Sequence, residues 1–244
     1  MKNQNFKAAK LKFLDCFLRI GIAFLLTSCS PINLAENPVS KVKPSSFDNL
    51  YGLWPGANGI EQEREEQYTQ IDNDGKPFKE LPPVWSDEKG KPPLFGHLPN
   101  KPFQIDGPPM NLSLSTPTRD LVHRYYQNIE QINGGLNNKF AAISDAGGLV
   151  MGYYDGSKLP SWRWAQEYSL ADNFFMAAYG GSFVNHHWLV CACTPTDTSA
   201  PKDERAILDE KGMLKRKSDS PKSAMQGVPK YESEKAAFTP DGYA

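Results

Sequence analysis

The chain has little net charge, few cysteines and histidines, and no long apolar run. Across 244 residues, 27 Lys and Arg stand against 28 Asp and Glu, for a formal net charge of −1. Nothing in that balance argues for nucleic acid or an acidic membrane surface as a partner. The basic triplet in "LKRKS", Leu214–Ser218, reads as a solvated turn. Only four cysteines are present, and no second Cys or His pair follows Cys191 and Cys193 at zinc-ligand spacing. Those two, at i,i+2 in "HWLVCACT", are spaced too closely to favour a disulfide and are expected to be buried thiols. Calcium is excluded at "DNDGK", Asp72–Lys76: the first ligand of such a loop would be Gln70 and the twelfth Leu81. The G-x-S-x-G elbow of acyl hydrolases is missing as well. The residue two after Ser182 is Val184, and no histidine lies beyond His187. No internal repeat argues for a solenoid.

What is present begins at the N-terminus. Lys2, Lys7, Lys10 and Lys12 precede the apolar stretch Ile20–Leu26, which is too short to span a bilayer. A basic start, a short apolar run and a small-residue end describe a secretory signal over residues 1–29. "LTSC", Leu26–Cys29, resembles the lipobox of bacterial lipoproteins, which would make Cys29 a lipid anchor. The expected location is exported: periplasmic, membrane-anchored or secreted. Residues 30–45 read as a tether and residues 46–244 as the domain.

Within the domain, residues 61–116 are rich in Pro, Gly, Lys and Asp and are expected to be loop. "TPTRDLVHRYYQNIEQINGG" is the clearest helix, capped by Thr116 or Thr118 and ended by Gly134 and Gly135. Leu121, Tyr125, Ile129 and Ile132 would form its apolar stripe. A second helix is expected around Leu159–Tyr168. "DNFFMAA", Asp172–Ala178, reads as a short buried strand or an irregular apolar segment. A further helix follows Ser182. Loops this long are uncommon in compact domains.

Two residues stand out chemically. Ser182 follows Gly180 and Gly181 and precedes an apolar helix. Its hydroxyl would sit where backbone N–H groups and the helix dipole favour an anion. The structural alternative is a helix cap. His123, beside Arg124, is a candidate to steady a phosphate oxygen or to move a proton. His97 has no evident partner, and His186 and His187 read as packing or surface residues.

Four segments, in order, carry a resemblance. They are "SSFDNLYGLWPGANGI", "DLVHRYYQNIEQINGGLNNKFAAISDAGGLVMGYYDGSKLPSW", "SLADNFFMAAYGGSFVNHHWLVCACTP" and "LKRKSDSPKSAMQGVPKYESEKAAFTPDGYA". Together they resemble the bacterial phosphoesterase family, which joins secreted acid phosphatases with phosphatidylcholine-type phospholipases C. The acid phosphatase branch is the nearer. The resemblance implies an α/β fold: a partial alkaline-phosphatase-like three-layer α/β/α arrangement, N-terminal half only, with long loops. It implies hydrolysis of a small phosphomonoester, or of a phospholipid, with no nucleic-acid partner. A divalent metal would assist a serine nucleophile through a phosphoserine intermediate. Ser182 takes the nucleophile's place and is also a metal ligand there. His123 takes that of the histidine in a D-x-x-H-R segment. Lys43 and Pro44 replace the family's metal-binding Glu-Asn pair, so a divalent metal is expected of the family but lacks these ligands here. Two alternatives stand beside catalysis: an inactive truncated member, and a non-catalytic phosphate-binding lipoprotein.

Overall fold

The structure is a computed structural model that describes residues 47–86 and 91–244. The signal segment, Cys29, Lys43 and Pro44 lie outside the described residues. Six α-helices are described: α1 (Phe47–Tyr51), α2 (Glu65–Tyr68), α3 (Tyr125–Ile132), α4 (Phe140–Ile143), α5 (Pro160–Glu167) and α6 (Ser182–Cys191). One parallel two-stranded sheet joins β1 (Phe103–Gln104) to β2 (Gly152–Tyr153), with Phe103 opposite Gly152. Other pairings among the described residues are isolated bridges. The expected α/β character is therefore present in small measure, with long loops. The described residues form no three-layer arrangement.

The main core forms where a proline-rich segment folds back around α4. Pro82 and Pro83 have no N–H to donate, so the flanking residues supply the bonds. Leu81 N–H donates to Leu98 O at 2.8 Å and Val84 N–H to Phe95 O at 2.9 Å. Ala141, Ala142 and Ile143 of α4 are buried against Leu81, Val84, Leu98, Phe103 and Leu149. Burying each large aliphatic side chain contributes about 1.5–3 kcal/mol. The chain passes so close here that a Cβ on Gly148 would stand 2.5 Å from Pro82 O.

The predicted helix around His123 is half present. Residues 117–124 are not helical, and α3 starts at Tyr125 with extended Arg124 (φ −121°, ψ 155°) as its N-cap. The cause is a tertiary contact. Asp145 Oδ1 accepts from Val122 N–H at 2.9 Å and Asp145 Oδ2 from Arg119 Nε at 3.3 Å. Both bonds hold the approach to α3 out of the helix. The buried face of α3 carries Gln127 and Gln131, whereas Leu121 and Tyr125 of the predicted stripe are exposed. The stop is as predicted: Asn133 and Gly134 take left-handed backbone, φ 47° and 68°.

Helix α5 is also where the sequence places it, with Pro160 at its start. Buried Trp162 donates Nε1–H to Leu50 O at 2.8 Å and packs its ring against Tyr51 and Trp54. "DNFFMAA", by contrast, forms no buried strand. It is irregular, and Phe175 is 79 % exposed. Among the described residues no strand pairs with it. A smaller cluster, Ala206, Leu214 and Tyr231, organises the C-terminal arm and packs against Tyr126 of α3.

Candidate active site

Three successive residues bring the two sequence candidates together. Gly180 is buried, with φ 127°, a backbone conformation that side chains disfavour. Gly181 is the N-cap of α6, extended at φ −81°, ψ −179°, and caps with no side chain. Ser182 is the first residue inside the helix, exposed, rather than the cap itself. The N–H groups of a helix's first turn have no intrahelical partner. With no capping side chain at Gly181, this end of α6 stays available to an anion.

His123 closes one side of this turn. A Cβ on Gly181 would stand 3.1 Å from His123 O and 3.4 Å from His123 Cδ2. A side chain there would crowd the His123 carbonyl and meet the ring at van der Waals distance. His123 Nδ1 lies 2.6 Å from Leu121 O. A carbonyl can only accept, so Nδ1 is the donor in this bond. Arg124 does not join it: its guanidinium donates to Lys235 O at 3.2 Å and Ala236 O at 2.8 Å, fastening the C-terminal arm.

His97 and His187 have structural partners. His97 is left-handed at φ 58° and hydrogen-bonded through Nδ1 to Glu80 Oε2 at 2.9 Å, where the sequence had suggested no partner. The His187 ring packs edge-on against Phe183, centroids 4.7 Å apart. At the far end of α6 the cysteines depart from expectation. Cys191 and Cys193 are exposed and joined in a disulfide, not buried thiols. Ala192 between them takes left-handed backbone (φ 49°). The two Cα atoms stand 5.2 Å apart, within disulfide reach.

The profile of the Phosphoesterase family matches residues 43–241. The chain belongs to the Phosphoesterase family. No curated protein and no solved structure matches the chain. Membership points to hydrolysis of phosphoric esters, and the glycine turn, Ser182 and His123 all lie within the matched residues of this phosphoesterase.

The divalent metal that the resemblance implies does not fit the described donor set. Among the described residues no three His, Cys, Asp or Glu side chains converge to hold an ion. Ser182 alone makes no such site.

Sequence reasoning missed the residues that build the turn. Asn185, Asn128 and Asp145 are not singled out by the sequence analysis. One signal was available. A short carboxamide inside the apolar run "SFVNHHWLV" is a poor helix former, so its place calls for bonds outside the helix.

Proposed function

We infer that this phosphoesterase is an acid phosphatase type hydrolase of phosphomonoesters, with Ser182 as nucleophile. One observation supports the reading: Gly181, the residue just before Ser182 at the uncapped head of α6, lies against His123. Ser182 Oγ attacks phosphorus as its proton passes to a base, the role assigned to His123 Nε2. The Oγ–P bond forms and the P–O bond to the alcohol breaks, and the leaving oxygen takes a proton. Water then cleaves the phosphoserine, releasing phosphate and restoring Ser182. The backbone N–H groups at the head of α6 would stabilise the phosphoryl oxygens.

The Cys191–Cys193 disulfide supports an oxidising, exported location for the protein, with Cys29 as its proposed lipid anchor. Phosphate binding without turnover is the second reading, favoured by the lack of a metal-donor cluster among the described residues.

The test is the rate of p-nitrophenyl phosphate hydrolysis, with divalent metals supplied, by the full chain, Ser182→Ala and His123→Gln. Hydrolysis is expected in the full chain, abolished in Ser182→Ala and about 10²-fold lower in His123→Gln. Binding of inorganic phosphate with no turnover selects the second reading. Equal rates in all three proteins rule out Ser182.

A further inference from the structure

We propose that Asn185 is the positioning residue of this site, the clamp that fixes the Gly180–Gly181 turn and so presents Ser182 to substrate. Its carboxamide reaches out of α6 and bonds the preceding loop four times. Oδ1 accepts from Ala177 N–H at 3.1 Å and Ala178 N–H at 3.2 Å. Nδ2 donates to Ala178 O at 3.0 Å and Gly181 O at 3.1 Å. A carboxamide has two donor hydrogens and two acceptor lone pairs. All four are engaged here.

Asn128 of α3 completes the clamp from the opposite side. Its Oδ1 accepts from Gly180 N–H at 3.0 Å, while its Nδ2 donates to Gln131 Oε1 at 2.9 Å, which orients the amide. Among the described residues, no backbone-to-backbone bond outside the helices is made by residues 169–180. The loop's other end is tied by Asn58, whose N–H and Nδ2 donate to Asp172 and Asn173.

The chemistry is specific to asparagine. Aspartate keeps the acceptors but has no hydrogens for Ala178 O and Gly181 O, and a carboxylate facing two carbonyls repels them. Alanine loses both halves. Glutamine is one methylene too long for a residue three positions from the serine on the same helix. Because Gly181 O is one of the four partners, loss of the donor half frees the backbone that lies against His123 just before Ser182. A misplacement of about 1 Å is enough to slow a positioned reaction about 10²-fold.

This rests on Ser182 being the nucleophile for its kinetic arm alone. The test measures two things on the full chain, Asn185→Ala and Asn185→Asp. The first is hydrogen exchange of the Ala177 and Ala178 amides, whose recorded bonds go to Asn185 alone. About tenfold protection is expected in the unsubstituted chain, lost in Asn185→Ala and kept in Asn185→Asp. The second is p-nitrophenyl phosphate kinetics. Both variants are expected to lose about 10²-fold in kcat with KM within about threefold. Unprotected amides in the unsubstituted chain overturn the clamp, whether or not the protein turns over. Protected amides with an unchanged kcat in both variants overturn the positioning role. Absence of turnover in every protein, with the exchange pattern as expected, counts against the Ser182 reading and leaves the clamp standing.

Discussion

Gly181 and His123 touch so closely that a methyl group between them would need the imidazole or its backbone to move. A Cβ on Gly181 would lie 3.1 Å from His123 O. The backbone of Gly181 is itself ordinary, at φ −81°, so Gly181→Ala tests the contact alone. It is expected to lower kcat for p-nitrophenyl phosphate about tenfold or more while shifting stability by less than about 1 kcal/mol. An unchanged kcat would separate His123 from Ser182.

Gly180 tests backbone strain instead. At φ 127° an alanine adopts the native conformation only at a cost, and its Cβ would meet Val184 Cγ1 at 3.0 Å. Gly180→Ala is expected to lower the unfolding free energy by about 1–3 kcal/mol. Chemical denaturation checks it.

Away from the site, Arg216 joins α3 to the C-terminal arm. It donates to Glu130 Oε1 at 2.7 Å and to Asn73 Oδ1 at 3.2 Å, and its guanidinium lies 5.2 Å from the Tyr231 ring centroid. Removing it takes the ion-pair partner from a partly buried carboxylate, which keeps the Tyr231 hydroxyl at 3.3 Å as its remaining side-chain partner among the described residues. Arg216→Ala is expected to cost about 2 kcal/mol of stability, and Arg216→Lys to recover part of that in the same denaturation experiment.

Tyr231 makes the protein sensitive to alkali. Burial, then the Glu130 carboxylate, raises its phenol above the ordinary value of 10.0. The fold therefore favours the neutral phenol. Its contribution is complete below pH 10 and is lost as pH rises from there. Tyr231→Phe is expected to flatten the decline of unfolding free energy above pH 10. An unchanged slope contradicts the assignment.

Much of this site was legible in the sequence. Gly180, Gly181 and Ser182 mark a turn into a helix by their own backbone chemistry, and α6 begins where they predict. His123 stood out beside Arg124 and again through the family resemblance, and the fold brings it to Gly181 across 58 residues of chain. Its helical setting was wrong because local periodicity cannot register Asp145, a residue distant in sequence that draws Val122 away. The apolar content of "DNFFMAA" suggested burial, but burial depends on a partner surface, and the described residues pair no strand with it. The disulfide was missed because i,i+2 spacing excludes it for ordinary backbone, and only left-handed Ala192 lifts that restriction. The clamp was hidden for a similar reason: Asn185 and Asn128 act on a loop whose course is set in three dimensions.

The most direct measurement is where phosphate goes. The full chain is incubated with p-nitrophenyl phosphate and divalent metal, quenched in acid, digested and weighed peptide by peptide. The account predicts that the peptide containing Ser182 gains one HPO3, and that Ser182→Ala gains none and releases no p-nitrophenol. A phosphoryl group on another residue, or equal release by the two proteins, would contradict it.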